Sequence, residues 1–240
     1  MASNILRWCE RPARTHCTQG RKQVTKKLRW RERLARAHKP TITFSYKHII
    51  NSTQLKTMSR KYKFHEKEGA YFISFATVFW IDLFTRMEYF DIVINSLDYC
   101  RKNKGLIIFA YCIMPSHIHL LFRSADGKPS ELIRDFKGFT SKKLIEAIKE
   151  NNQESRKEWI LWMLKKAGER NSNIKNHQLW QQNNQPIEIW SLKVFEKKLN
   201  YIHQNPVESG FVIEPWEWKY SSARNYCDDF EDVLKIDINT

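Results

Sequence analysis

The sequence predicts an α+β protein in which helices pack on an antiparallel sheet. Runs rich in β-branched and aromatic residues alternate with segments of helical periodicity, in the order β-α-β-β-α-β-α. A Pro-Ser turn signal joins the two middle strands directly, so we expect them to form a hairpin. The 240-residue chain is long enough to bury a sizeable core. This order of elements is the split β-α-β plan of the ferredoxin-like folds.

The first half of the predicted domain supplies three strands and one helix. Tyr71–Val78 is β-branched and aromatic, which predicts a strand. Glu88–Lys102 has apolar residues at helical spacing. Leu106–Met114 is a nearly continuous apolar run, typical of a buried strand. His117–Phe122 follows the Pro115-Ser116 turn and predicts its partner in the hairpin.

The second half supplies two helices around a short strand. Pro129 stands at the first helical position of a segment that runs to about Glu150. The polar stretch at about 151–180 contains tryptophans and predicts a helical insertion. Pro186–Trp190 predicts a short strand, and Ser191 is a good N-cap for a last helix over Leu192–Gln204.

Composition and charge narrow the function classes. The net charge is +15, but residues 1–57 hold 14 Lys/Arg against 2 Asp/Glu, so +12 of the excess lies there. Such an excess favours a polyanionic partner, most often nucleic acid. No apolar run approaches the ~18 residues of a membrane span, and the N-terminus has no secretory signal core. Five separated cysteines form no C-x-x-C pair, which argues against a zinc ribbon and favours a reduced cytoplasmic protein.

The basic segment 1–57 has no sustained apolar period and predicts a disordered extension. Three interpretations stay open: a DNA-binding arm, an Arg-rich targeting presequence, or an extension upstream of a native start at Met58. Met58 stands just before the first strand, so we favour the third. Residues 58–227 then form one domain, and residues 228–240 form an acidic tail.

The most distinctive pattern is His117-Ile118-His119 in the predicted third strand. Side chains at positions i and i+2 of a strand point to the same face. The two imidazoles can therefore meet one divalent cation, while Ile118 enters the core on the other side. The alternative is an ordinary polar strand face, since alternating histidines also occur by chance.

A second pattern lies on the last helix, where Tyr201 and Asn205 are one turn apart and share a face. An amide oxygen is a competent ligand for Mg²⁺ or Mn²⁺, and the tyrosine hydroxyl would then lie beside the metal as a nucleophile. His203 faces roughly the other way. We expect the helix to end near Asn205, because Pro206 disfavours helical geometry in the residue before it.

These residues resemble a known family. Met114–Leu121 (MPSHIHLL) resembles the histidine–hydrophobic–histidine (HUH) motif of single-tyrosine transposases, with Ser116 where members usually carry asparagine. Tyr201–Gly210 (YIHQNPVESG) resembles the tyrosine-helix signature of REP-associated tyrosine transposases. Leu179–Gln181 resembles the Trp-Gln block of that group, and Glu214-Pro215 with Tyr220–Ala223 resembles its tail. The resemblance covers residues 63 to 227 in order and does not reach residues 1–57.

The resemblance implies a function and its site residues. In that family the two histidines and the polar residue four positions after the tyrosine hold Mg²⁺ or Mn²⁺; here these are His117, His119 and Asn205. Tyr201 corresponds to the nucleophile, which forms a 5′-phosphotyrosine intermediate with single-stranded or hairpin DNA. The expected protein is a nucleoid-associated transposase-like nuclease and strand transferase. Whether it is a monomer or a homodimer stays open.

Other DNA contacts are less specific. Cations on the second predicted helix are candidates for phosphate contacts: Arg134, Lys137, Lys142 and Lys143. Five tryptophans could stack on unpaired bases, although packing is their commoner role: Trp159, Trp162, Trp180, Trp216 and Trp218.

Two other functions compete with the active enzyme. A domesticated protein could recognise hairpins without turnover, but a pure binder need not keep His117, His119, Tyr201 and Asn205 together. A relaxase or replication initiator uses the same chemistry, yet it usually places its tyrosines differently and carries larger domains. The active transposase-like enzyme is therefore the first hypothesis.

Overall fold

The computed structural model describes residues 64–172, 174, 176–182, 184–227 and 232–237. The predicted basic extension 1–57 lies outside these residues. The strands are β1 (Ala70–Ala76), β2 (Leu106–Ile113), β3 (His117–Ser124) and β4 (Ile187–Glu188). The helices are α1 (Met87–Asn103), α2 (Pro129–Glu150), α3 (Lys157–Glu169) and α4 (Leu192–Glu208). Short 3₁₀ segments lie at Val78–Trp80, Pro215–Glu217 and Ser222–Tyr226.

The four strands form one antiparallel sheet in the order β2-β3-β1-β4. The hairpin strand β3 lies between β1 and β2, as the split β-α-β plan requires. Its pairing with β1 runs without a break from Ala70–Arg123 to Ala76–His117. The predicted α+β, ferredoxin-like class is therefore confirmed, with α4 as an addition to the basic plan.

Each face of the sheet has its own apolar core. On one face, alternate strand residues such as Ile73 and Ile118 pack against α1, α2 and α3. On the other face, Phe72 and Leu121 pack under α4 together with Leu199. The two-residue period of the strands sends neighbouring residues into opposite cores. As a result, the side chains of β3 that neighbour Ile118 in sequence face α4.

The last helix is longer than expected. It continues through Pro206 to Glu208, so the prediction that it ends near Asn205 is wrong. Proline removes only its own N–H donor, and the amides that follow still bond: Ser209 N donates to Asn205 O at 3.0 Å. Gly210 then closes the helix at φ +75°, a conformation that glycine adopts without a steric penalty. Asn205 consequently lies in a formed helical turn rather than in a frayed end.

The segment after the last 3₁₀ turn packs against the edge strand β2. Asp237 N donates to Ile108 O at 2.7 Å, and Ile108 N donates to the Asp237 carboxylate at 3.0 Å. Leu234 is buried in the core of the α1–α3 face. Within the described residues, this part of the acidic tail covers a sheet edge that would otherwise expose unpaired backbone groups. None of the described helices is long and apolar enough to cross a membrane.

Candidate active site

His117 and His119 lie on β3 and face α4, while Ile118 between them is buried in the opposite core. The centroids of the two imidazole rings are 4.7 Å apart. β1 pairs Ser74 with His119, and β2 pairs Cys112 with it from the other side. The strand that carries both histidines is therefore held in the interior of the sheet.

The turn that precedes the histidines is also fixed. Thr77 N donates to Ser116 O at 2.9 Å, and Phe84 N donates to Pro115 O at 2.8 Å. Ser116 Oγ lies 3.2 Å from His117 Nδ1, which orients the imidazole ring. A hydrogen bond at one ring nitrogen leaves the other as the ligand atom, the usual arrangement at metal sites. Serine at position 116 thus makes a contact of its own with the first histidine.

Three buried polar atoms in this region have no hydrogen-bond partner among the described residues. They are His119 Nδ1, His119 Nε2 and Asn205 Oδ1. An unpaired buried polar group costs about 1–3 kcal/mol, so native proteins rarely keep several together without a purpose. Imidazole nitrogen and amide oxygen are both ligands for divalent cations. The donor set His117, His119 and Asn205 therefore fits a metal ion, and its mixed N/O character suits Mn²⁺ better than Mg²⁺.

The described residues contain no cluster of three or more His, Cys, Asp or Glu side chains that could hold a metal ion. The predicted third ligand, Asn205, is of another residue type and carries an amide oxygen.

Burial sets the charge of both histidines. It lowers the pKa of His119 to about 3, and the neighbouring His117 and Lys198 act in the same direction. Burial also lowers the pKa of His117, although the nearby Asn205 and Asp82 side chains act in the opposite direction. Both imidazoles are consequently neutral near pH 7. Neutral imidazole is the form that binds metal.

Helix α4 brings Tyr201 to the histidines. Its ring centroid lies 5.1 Å from that of His119 and 5.9 Å from that of Phe72, with edge-to-face geometry in both pairs. The Tyr201 side chain is 40% exposed, whereas Asn205, one turn later, is buried. The phenol is thus reachable from solvent at the mouth of the site, and the amide lies deeper.

His203 takes the opposite side of α4. It is fully buried, its Nε2 lies 2.9 Å from Ser222 Oγ, and its ring contacts that of Tyr226. The helical spacing that grouped Tyr201 with Asn205 and set His203 apart is confirmed as geometry. The roles of Tyr201 as nucleophile and of Asn205 as ligand stay predictions.

Sequence reasoning missed Lys198. Its Nζ lies 4.4 Å from the centroid of the Phe72 ring and 5.7 Å from that of the Tyr201 ring. Burial is the main cause that lowers the pKa of Lys198, and neighbouring Lys197 contributes. Position 198 is three residues before Tyr201 and shares its helical face, so the i, i+3 spacing could have identified it.

Comparison with known proteins gives the family of one part of the chain. Residues 87–165, about a third of the chain, match the family model described as "Transposase IS200 like". This segment, here called the transposase segment, is similar to IS200-like transposases. The predicted resemblance to the single-tyrosine transposases is confirmed over this transposase segment. The segment includes His117 and His119 and ends before α4.

Two other comparisons complete the picture. No curated protein matches the chain. Among solved structures, the chain is similar to a REP-associated tyrosine transposase bound to a REP hairpin. The identity is 19% and the TM-score 0.49, and the alignment covers 76% of this chain and 98% of that one.

The four cations predicted to contact DNA lie on α2, in the second half of the transposase segment and on the sheet face opposite α4. Lys137 is not available as a surface cation, because its Nζ donates to Gln181 O at 2.8 Å and to Asn184 Oδ1 at 3.0 Å. Burial lowers its pKa to about 8. The other three are exposed: Arg134, Lys142 and Lys143. The structure therefore does not bring these cations to the histidines.

The tryptophans predicted to stack on bases also include both buried and exposed side chains. Trp180 and Trp216 are buried, which rules out stacking on a base without unfolding. Trp180 donates its Nε1–H to Thr140 Oγ1 at 3.1 Å, and Trp218 donates to Ile113 O at 3.0 Å. Trp159 and Trp162 on α3, within the transposase segment, remain exposed.

Tyr111 is the tyrosine nearest in sequence to the histidines. It is fully buried in the core of the α1–α3 face, and burial raises its pKa. The sheet separates it from His119. Tyr111 is therefore not a competitor of Tyr201 for a DNA substrate.

Proposed function

We propose that this chain cleaves and rejoins single-stranded DNA at hairpins, with Tyr201 as the nucleophile. The proposal extends the transposase classification of residues 87–165 to a mechanism that includes α4. The observation that carries it is the convergence of His119, Asn205 and Tyr201 from two elements. Two of these residues present buried polar atoms without partners, and the third presents an accessible phenol beside them.

The reaction is a phosphoryl transfer to tyrosine. The bond from Tyr201 Oη to phosphorus forms, and the bond from phosphorus to the 3′ oxygen breaks. The phenol gives up its proton, and the departing 3′ oxygen gains one. The products are a 5′-phosphotyrosine and a free 3′-hydroxyl. Attack by a 3′-hydroxyl from a second strand reverses these steps and rejoins DNA without ATP.

The residues of the site have different roles in this proposed reaction. His117, His119 and Asn205 would hold Mg²⁺ or Mn²⁺, which supplies a positive charge that polarises the scissile phosphate. Ser116 orients His117, and the neutral state of both imidazoles keeps their lone pairs available. The edge-to-face contacts of Tyr201 with Phe72 and His119 orient the phenol toward the same volume.

Lys198 adds a fixed positive charge. Its ammonium lies over the rings of Phe72 and Tyr201, so it borders the region where the phenol oxygen meets a phosphate. A preorganised cation stabilises charge that develops in the transition state more than charge of the ground state. We assign Lys198 this electrostatic role in the same step.

The decisive test is covalent trapping. A 3′-labelled DNA hairpin with a single-stranded 5′ extension, taken from palindromes that flank the gene, is incubated with protein and Mn²⁺ and then boiled in detergent. We expect a labelled adduct that requires the metal. Tyr201→Phe keeps the ring and its packing but removes the hydroxyl, so this variant should bind the hairpin and form no adduct.

The matched control is Tyr99→Phe, which removes the hydroxyl of another exposed tyrosine, on α1 at the other face of the sheet. It should form the adduct at the wild-type rate. An adduct that persists in Tyr201→Phe contradicts the assignment of the nucleophile. Tight hairpin binding without any adduct in the wild-type chain identifies the domesticated binder instead.

A further inference from the structure

A strained turn presents two aromatic side chains beside the candidate site. Phe79 and Trp80 follow β1 and have φ values of +56° and +55°, in the left-handed region that bulky residues rarely adopt. Both side chains point outward, with Phe79 43% and Trp80 58% exposed. A conformation of this kind persists only where surrounding structure enforces it, and it is found most often at functional sites.

The surrounding structure does enforce it. Val78 N donates to Leu179 O at 2.8 Å, and Gln181 Nε2 donates to Thr77 O at 3.0 Å. Thr77 Oγ1 spans the turn and donates to Ile81 O at 2.8 Å. The segment that resembles the family's Trp-Gln block therefore holds the turn from one side. The two aromatic side chains stand on a rigid base, which lowers the entropic cost of using them to bind a ligand.

The neighbours of the turn indicate the chemistry of that ligand. The ring centroids of Trp80 and His117 are 5.5 Å apart, so Trp80 borders the candidate metal site. The Arg170 guanidinium carbon lies 5.7 Å from the centroid of the Phe79 ring. Flat apolar rings with a cation at one end and a phosphate-binding centre at the other match a nucleotide, which has an aromatic base and an anionic backbone.

We propose that Trp80, with Phe79 beside it, is a stacking platform for one unpaired base next to the scissile phosphate. Arg170 then faces the backbone of the adjoining nucleotide. This subsite rests on the proposed function, since it places the base relative to the bond that Tyr201 attacks. A base within a duplex hides its face against its neighbours, so the platform selects single-stranded DNA on one side of the cleavage point.

The test uses the Tyr201→Phe protein, which cannot cleave, and the same hairpin with its single-stranded 5′ extension. One extension position at a time carries 2-aminopurine, whose fluorescence falls on stacking. We expect one position to be quenched on binding, and Trp80→Ala to restore its fluorescence. Trp80→Ala should weaken binding about 5- to 100-fold, as expected for one base stacked on an aromatic side chain, and Trp80→Phe should recover most of the affinity.

An abasic nucleotide completes a thermodynamic cycle. Placed at the quenched position, it should weaken binding by the parent protein as much as Trp80→Ala does, with little further loss when the two changes are combined. Phe139→Ala is the matched control, since Phe139 is 55% exposed on α2, on the other face of the sheet. We expect it to leave binding and quenching unchanged.

Stability separates binding from folding. Asparagine tolerates a positive φ, so Trp80→Asn should unfold at a temperature no lower than the parent while it loses affinity for the hairpin. A lower unfolding temperature would show that Trp80 serves packing instead.

Other outcomes separate this subsite from the proposed function. If the wild-type chain forms its Tyr201 adduct while Trp80→Ala binds and cleaves normally, the stacking platform is wrong and the nuclease stands. If the parent does not bind the hairpin, the proposed function fails together with the subsite.

Discussion

The two sides of α4 each hold a buried histidine, and these histidines differ in how their nitrogens are used. His119 faces Tyr201, and His203 faces the C-terminal 3₁₀ segment. Burial lowers the pKa of both to about 3. His203 bonds to the Ser222 hydroxyl, whereas neither nitrogen of His119 has a partner among the described residues.

Burial and an altered pKa therefore do not by themselves mark a functional histidine. The desolvation of His203 is partly offset by its hydrogen bond, which also ties α4 to the C-terminal segment. Neither nitrogen of His119 has such a hydrogen bond within the described residues, and the proposed metal ion would supply the missing partner. We therefore expect the two histidines to respond differently to metal and to substitution.

The largest effect should come from the metal ligands. His119→Ala or His117→Ala should lower the rate of adduct formation by 10²- to 10³-fold or more, because loss of charge stabilisation at a scissile bond costs about that much. Hairpin affinity should change little. Mn²⁺ electron paramagnetic resonance on the same variants measures metal binding without any reaction.

His203→Asn is the control for that comparison. It should destabilise the protein through loss of the Ser222 contact and yet bind Mn²⁺ as before. Equal loss of Mn²⁺ in both histidine variants would remove the distinction between the two sides of α4. Asn205→Ala should weaken metal binding less than either ligand histidine, because water can replace an amide oxygen.

Lys198 should give the next largest effect. Lys198→Met keeps much of the apolar stem and removes the charge, so kcat should fall about 10- to 100-fold with a smaller change in hairpin affinity. Lys198→Arg should restore part of the rate. Lys193→Met, which neutralises an exposed lysine on the same helix, is the control. If kcat is the same in both methionine variants, Lys198 only packs against Phe72.

Acid should destabilise the fold through the same two histidines. Their unfolded-state pKa is about 6.5 and the folded-state pKa about 3, so the unfolded chain binds more protons between these values. Stability is full above pH 6.5 and falls as the pH drops, by about 1.4 kcal/mol per pH unit for each histidine. Urea unfolding at pH 7, 6 and 5 measures the slope.

Substitution of each histidine measures how much it contributes to this pH dependence of stability. His119→Asn and His203→Asn should each lower the slope of unfolding free energy against pH by the contribution of one histidine, about 1.4 kcal/mol per pH unit. Added Mn²⁺ should stabilise the His203→Asn variant but not the His119→Asn variant at pH 7. A slope that neither substitution alters would show that other groups control acid unfolding.

The smallest effect should come from α2. Arg134, Lys142 and Lys143 lie on the opposite face of the sheet from Tyr201, so any DNA they contact is remote from the scissile bond. Their combined replacement by alanine should leave kcat unchanged at saturating DNA. The slope of log binding constant against log salt concentration should become shallower by up to about 0.9 for each lost contact with a duplex phosphate. A large fall in kcat would mean that DNA reaches the site across α2.

The local patterns of the sequence were sufficient for the elements of this fold. Strand alternation placed Ile118 in the core and both neighbouring histidines on one face. Helical spacing grouped Tyr201 with Asn205 and set His203 apart, and Ser191 caps α4 through its contact with Val194 N. These features depend on periods of 2.0 and 3.6 residues within a single element, which the chain carries without reference to its neighbours.

Other features depend on how the layers pack. The spacing within α4 does not determine the 5.1 Å between the ring centroids of Tyr201 and His119, because that distance depends on how α4 packs over β3. The continuation of the helix past Pro206 depends on the backbone amides of residues 209–211, which donate to the carbonyls of residues 205–207. Trp80 stands beside His117 only because distant residues 179–181 hold its turn in a conformation that tryptophan disfavours when alone. The sequence thus determines which way a side chain points within its own helix or strand. The distances between side chains of different elements depend on how the cores pack.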